Sequence, residues 1–180
     1  MEQHELQGLM DTPMSSAGAF DAFYEAHAVA TGAIVAALRG SEVGVEDVVQ
    51  ETFARAFERW EQVAAMDRPD LWLHRVALNL ATSRLRRLGA ESRAVARLAG
   101  RAASVTAEPG PGDADFWRLV RRLPARQARV VALRYAADLP VADIAAVTGL
   151  ADGTVKAHLH RARQRLGTWL EASGERDQDD

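Results

Sequence analysis

Apolar residues recur along this chain at three- and four-residue steps, and no stretch shows the apolar/polar alternation of a half-buried strand. The pattern predicts an all-α protein of two small helical domains joined by a flexible linker. A first block, residues 19–88, divides into helices over 20–38, 45–62 and 71–88, separated by a Gly/Ser break at 40–44 and a loop at 63–70. Residues 89–113 are poor in large apolar side chains and contain AEPGPGD, where glycines and prolines stop a helix. That segment is the expected linker, although 91–101 can still form helix. The second block, 114–170, holds a helix over 116–122, a break at Leu123-Pro124, a helix over 125–137 and a helix pair within 139–166. Residues 1–18 read as a disordered leader and 171–180 as an acidic disordered tail. No internal repeat is visible.

The helix pair is the most informative stretch. Ile144, Ala145, Val147, Leu150, Val155 and Leu159 supply apolar contacts, with the small Ala145 where two helices would cross closely. Gly149 stands where the chain must turn and accepts a positive φ at little cost. Asp152 can offer its carboxylate to the free amides of the following helix. That helix carries Lys156, His158, His160, Arg161, Arg163 and Arg165, with no acid between Asp152 and Leu166. An arginine-rich terminal helix is often only a solvated face. Turn glycine, cap and apolar register together favour a helix-turn-helix that enters a DNA major groove.

Charge distribution adds a second partner. The net charge of −3 is unusual for a DNA binder until its layout is read. Residues 41–62 hold six acids and two arginines; residues 68–101 hold eight arginines and two acids; residues 118–134 add six arginines and no acid. Basic surfaces suited to phosphate alternate with acidic ones suited to a basic protein. The absence of cysteine excludes a disulfide framework and a thiolate metal site. No apolar run is long enough for a bilayer and the first residues lack a signal-peptide layout, so a cytoplasmic protein without membrane contact is expected.

Two further helices carry distinct faces. Over 71–88, Leu73, Val76, Ala77, Leu80 and Leu88 form an apolar side, while Trp72, Arg75, Asn79, Thr82 and Arg86 share another. An aromatic plane, an amide and guanidinium groups are what unstacked single-stranded bases need. The competing reading, a core tryptophan with solvated arginines, stands level with it. Over 45–62, Val45, Val49, Phe53, Phe57 and Trp60 make the expected buried stripe, and Glu46, Asp47, Gln50 and Glu51 a polar one. That polar side is either a docking face or an ordinary N-terminal acid cluster. Enzyme signatures are missing: no P-loop, HExxH or nucleophile elbow occurs, and His158 and His160 are not at the four-residue spacing of a helical metal pair. No catalytic residue, metal or cofactor is expected.

At these residues a resemblance becomes specific. VEDVVQETFARAFERW, LWLHRVALNLATSRLRR and LPARQARVVALRYAADLPVADIAAVTGLADGTVKAHLHRARQRL resemble, in order and separation, regions two and four of bacterial RNA polymerase sigma-70 factors of the extracytoplasmic-function group, sigma-E-like actinobacterial type. The resemblance covers both blocks and leaves out leader, linker and tail. It implies an alternative sigma factor: region two binds core polymerase and captures melted −10 DNA, and region four reads the −35 duplex. The implied partners are core RNA polymerase, through its β′ clamp and β flap, promoter DNA, and a candidate anti-sigma protein.

By position, Asp47, Gln50, Glu51 and Phe53 match the clamp-binding motif, the polar three as contacts and Phe53 as packing. Trp72, Arg75, Asn79 and Arg86 match the −10 helix, with Asn79 helping to capture a flipped base and the loop 64–70 forming its pocket. Thr154, Lys156, Ala157, His160 and Arg161 match positions that face the −35 DNA, Thr154 toward its backbone. The loop AAMDRPD lacks the glycine and aromatic often found in the family; Ala157 replaces a frequent serine and Thr148 a usual leucine. The competing function is a stand-alone helix-turn-helix regulator, which would bind a symmetric duplex site tightly without polymerase.

Overall fold

The computed structural model describes residues 16–39, 44–99 and 113–174, and among them every regular element is a helix. These are α1 (Ser16–Arg39), α2 (Val45–Glu58), α3 (Trp60–Ala64), α4 (Pro69–Ala99), α5 (Asp113–Arg122), α6 (Ala125–Tyr135), α7 (Val141–Thr148) and α8 (Asp152–Gly174). Prolines mark three of the starts. Pro69 opens α4, and Pro124 and Pro140 directly precede α6 and α7. A proline fits there because its missing N–H is one that a helix start leaves unpaired anyway. Gly44 precedes α2 with φ 78°, a left-handed conformation that suits glycine.

Local signals placed most breaks, but α1 begins at Ser16, inside the expected disordered leader, α8 runs to Gly174, into the expected disordered tail, and three further differences stand beside these. The expected single helix over 45–62 is interrupted at Arg59, whose N–H bonds back to the Ala56 carbonyl at 3.3 Å, and α3 follows as a separate turn. Helix α4 runs past residue 88 to Ala99, through the early part of the expected linker. The core of that linker, 100–112, lies outside the described residues, as do 1–15 of the leader and 175–180 of the tail. At α8 the first helical bonds run from the Thr154 and Val155 amides to the Ala151 carbonyl, which puts Asp152 inside the first turn and not at the cap.

The buried stripe of α2 is rotated from its expected phase. Val48, Thr52, Phe53 and Ala56 are buried, Val45 and Val49 only partly, and Phe57 is 59% exposed. The reason is that α2 packs against both α1 and α4. Small side chains on the inward line let the helices approach, and the Thr52 hydroxyl is satisfied within its own helix by donating to the Val48 carbonyl at 2.7 Å. Phe57 is left at the edge, 5.0 Å from the ring of Phe20.

In α4 the expected Leu73, Ala77 and Leu80 are buried, Val76 is partly so, and His74, Leu78 and Ala81 join them. The side chain of Leu88 is outside the description. Such a wide stripe needs neighbours on two sides, and α4 has them: α1 and α2 on one, α7 on the other. The two blocks therefore pack together. Ile34, Val35 and Leu38 of α1 share one apolar cluster with Leu119, Val120 and Leu123 of the α5 region and with Ile144, Val155 and Leu159 of the helix pair. Each such fully buried aliphatic side chain contributes about 1.5–3 kcal/mol relative to exposure.

Candidate nucleic-acid and docking faces

Helix α8 presents its cations because its opposite side is committed to packing. Val155, Leu159, Ala162 and Leu166 recur at helical spacing and are buried. Thr154, Lys156, His160 and Arg161 are consequently exposed, with Ala157 half-buried beside them. Gly149, at φ 70°, turns the chain between α7 and α8. Thr148, at the usual leucine position, donates its hydroxyl to the Ile144 carbonyl at 2.6 Å, so the polar substitution is satisfied within α7. Two cations of α8 are held back toward the body of the block: Arg163 donates to the Tyr135 hydroxyl at 3.0 Å and Arg165 to Gln127 Oε1 at 3.5 Å. This leaves a convex basic face formed by Lys156, His160 and Arg161.

The second face lies on α4. Trp72 is half-buried against the cluster of Phe23, Phe53, Ala56 and Leu73. Arg75 and Asn79 lie one turn apart and are exposed, while the side chain of Arg86 is outside the description. Arg75 is engaged: its guanidinium donates to the Val147 carbonyl at 3.2 Å and to the Ala146 carbonyl. Asn79 lines a cleft of 260 Å³ together with Arg126, Arg129 and Thr148. The loop before α4 contributes Arg68, which pairs with Asp70 at 2.7 Å and with Asp143 of α7 at 2.9 Å. The hydrogen bonds to Asp70 and then Asp143 raise the Arg68 pKa above its ordinary value, and Arg68 in turn holds the Asp70 carboxyl below its own. Beneath the face, His74 is 3% exposed and neither ring nitrogen has a partner among the described residues. Burial lowers its pKa, with the nearby Asp70 charge opposing.

The third face is the polar side of α2. Asp47 and Gln50 are exposed; Gln50 donates to Glu46 Oε1 at 3.2 Å. Glu51 is drawn inward between Arg84 of α4 at 2.5 Å and Arg55 at 2.6 Å. The Arg84 bond is the main reason its carboxyl sits below the ordinary value. Arg84 also approaches Asp47 at 3.7 Å, but the Asp47 side chain remains 72% exposed. Phe53 is 3% exposed and supports this face from below. Beside it, Tyr24, Val29, Gly32, Val45 and Val49 line an open groove of 620 Å³ between α1 and α2, and Val29 is 84% exposed.

Sequence patterning missed Arg68, Arg84, Asp143 and this groove. Each owes its place to contacts between distant segments, and no local pattern in the sequence marked them.

Comparison with known proteins is consistent in both blocks. Residues 23–91 match the model of Sigma-70 region 2 and residues 113–166 that of Sigma-70, region 4. The chain is 32% identical over 129 residues to the RNA polymerase sigma-E factor of Streptomyces antibioticus, covering 72% of each protein. It is 31% identical over 159 residues to the ECF RNA polymerase sigma factor SigL of Mycobacterium tuberculosis, covering 85% of this chain and 89% of that one. Among solved structures, the sigma factor RpoE in complex with the anti-sigma factor NepR from Bartonella quintana superposes with a TM-score of 0.71 at 27% identity, covering 84% of this chain and 96% of that one.

Proposed function

The chain belongs to the extracytoplasmic-function group of the bacterial RNA polymerase sigma-70 family, and from that premise we propose that it binds core RNA polymerase and directs promoter-specific initiation. The observation that carries this reading is the presence of both family blocks, in order, on one chain. In a stand-alone regulator the first block would sense a ligand or dimerise, roles that do not call for a match to Sigma-70 region 2. The protein is accordingly a DNA-binding regulator and not an enzyme. No helix among the described residues is long and apolar enough to cross a membrane, and a sigma factor acts in the cytoplasm, at the nucleoid when in holoenzyme.

Residue roles follow from the faces. Asp47, Gln50 and Glu51, with Phe53 beneath, would meet the basic clamp of polymerase. Glu51 already has two arginine partners, so the exposed Asp47 is the carboxylate readiest to take an external cation. Trp72, Arg75, Asn79 and Arg86 would hold the opened −10 strand, and loop 64–70 would receive its flipped base. Lys156, Ala157, His160 and Arg161 would read the −35 duplex while Thr154 meets its backbone. Melting is then driven by contacts that bases gain only when unpaired, without nucleotide hydrolysis. The groove beside α2 and the kinship with a sigma factor solved with NepR also favour an anti-sigma protein as a partner.

The test is a native pull-down with bacterial core RNA polymerase followed by run-off transcription on a genomic fragment library. Stoichiometric binding with discrete new start sites is expected, and Asp47→Lys should weaken the binding by placing like charges together. Tight, symmetric duplex binding without polymerase would replace this reading with the stand-alone regulator.

A further inference from the structure

The cleft beside Asn79 is lined in a way that neither packing nor promoter contact accounts for. Leu78 and Asn79 come from α4, Arg126 and Arg129 from α6, and Val147 and Thr148 from the end of α7. The two arginines stand three positions apart, which puts both guanidinium groups on one face of their helix. Arg126 is exposed, with no hydrogen bond or ion pair among the described residues, and Arg129 is half-buried. No residue lining the cleft is acidic. Two like charges beside a low-dielectric wall favour an anion between them. The positive end of α6 adds to this. The Gln127 and Ala128 amides both bond to the Pro124 carbonyl, at 2.8 and 3.1 Å, and those of Ala125 and Arg126 precede any helical acceptor. Across the cleft, the Asn79 amide can also donate. Thr148 cannot, because its hydroxyl proton is committed to the Ile144 carbonyl at 2.6 Å, so it can only accept from a ligand. Leu78 and Val147, both buried, supply the apolar wall.

Paired guanidinium groups and an amide suit the oxygens of a phosphate, which arginine takes in bidentate fashion. An acceptor-only threonine suits a hydroxyl next to it. At 260 Å³ the cleft is below the roughly 300–1,000 Å³ of sites that enclose drug-sized molecules, so the ligand is compact. We propose that this cleft binds a small phosphomonoester of a hydroxylated compound, a sugar phosphate or the sugar-phosphate head of a nucleotide. The phosphate lies between Arg126, Arg129 and Asn79, and a hydroxyl donates to Thr148. Asn79 is also the residue proposed above to capture a flipped base, so the small molecule and the opened strand compete for it. That consequence rests on the sigma reading; the site itself does not.

The test is isothermal titration calorimetry of the full-length protein with ribose 5-phosphate at low ionic strength, beside ribose and inorganic phosphate. Saturable one-to-one binding is expected, tighter for ribose 5-phosphate than for inorganic phosphate, with ribose silent. Arg126→Ala should weaken it roughly tenfold, the loss of a charge-assisted hydrogen bond. Asn79→Asp keeps the side-chain size, sets a negative charge in the cleft and should abolish binding. Arg118→Ala removes an exposed arginine of α5 that does not line the cleft and should leave binding unchanged. Residues 79 and 126 are both exposed, so the variants should keep the parent's urea midpoint, and Asn79→Asp decides alone if Arg126→Ala does not fold. Failure to saturate, or equal weakening in Arg118→Ala, overturns the site. Equal affinity for inorganic phosphate overturns the hydroxyl contact at Thr148. Loss of single-strand binding in Arg126→Ala, with no ribose 5-phosphate bound by the parent, gives the arginines to nucleic acid instead. The titration uses neither DNA nor polymerase, so pull-down and run-off results still judge the sigma reading separately.

Discussion

On α4, the guanidinium of Arg75 is bonded to carbonyls of α7 and Asn79 faces a narrow cleft. On α8, Lys156, His160 and Arg161 stand clear of the body, and no hydrogen bond or ion pair from them is found among the described residues. Both faces use the same kind of chemistry, a short polar or aromatic group flanked by cations on one side of an amphipathic helix. Their difference comes from what lies opposite. Packing buries the far side of α8 and leaves nothing above its cations, whereas α4 is wedged between α1 and α2 on one side and α7 on the other. Amino-acid content alone therefore does not determine whether a face is available; the partner of the helix does.

The comparison breaks most completely at Ile144. It is fully buried between the two helices of the pair and supports both α7 and α8. Ile144→Ala should cost about 2–5 kcal/mol through lost transfer energy and the cavity left behind, measured as a lowered urea midpoint, and both faces should fail together.

Substitution on the faces themselves separates them. Arg161→Ala should weaken −35 recognition by holoenzyme by about 1–3 kcal/mol where it contacts a base edge; equal loss on scrambled duplex would assign it to phosphate. It should leave the folded stability unchanged. Arg75→Ala should do the reverse in the free protein, lowering stability by about 1.5 kcal/mol because a charged donor leaves its carbonyl acceptors. In holoenzyme it should also reduce permanganate reactivity of the −10 thymines, and an unchanged pattern would remove it from the strand face.

The smallest effect is on pH. Burial lowers the pKa of His74, so in the folded state it resists a proton that the unfolded chain accepts near 6.5. Its neutral form is accommodated at higher pH, and stability should fall as pH drops below that unfolded value toward the lowered folded one. His74→Phe should flatten this limb of the profile. The carboxyls of Asp70 and Glu51, held down by arginines, act lower: their contribution is present above their unfolded values and is lost as pH falls through the folded ones.

The sequence made the helix pair legible because its determinants are local. Gly149 does adopt the left-handed turn, and Ile144, Val147, Val155 and Leu159 are all buried. The three faces were also visible as stripes. The phase of α2 was not, since Phe57 and Trp60 looked like the best core residues while packing on two sides favoured Thr52 and Ala56. Least legible were the contacts of Arg68 with Asp143 and of Arg75 with α7, which join residues more than seventy positions apart. Helical periodicity reports which way a side chain faces, and says nothing of which distant helix will arrive there.

One property of the Arg75 contact bears on how this protein can be altered. Its acceptors are main-chain oxygens, which every amino acid carries. Exchanging the exposed side chain of Ala146 therefore leaves its acceptor in place so long as the helix ends where it does, whereas the buried Ile144 and Val147 constrain α7 through packing. The vulnerable position is Gly149, whose φ of 70° aims the end of the helix and whose surroundings are otherwise open. Tolerance of exchange at an acceptor residue thus coexists, on the same helix end, with one conformationally demanding glycine, while the donor side of the contact rests on the side chain of Arg75.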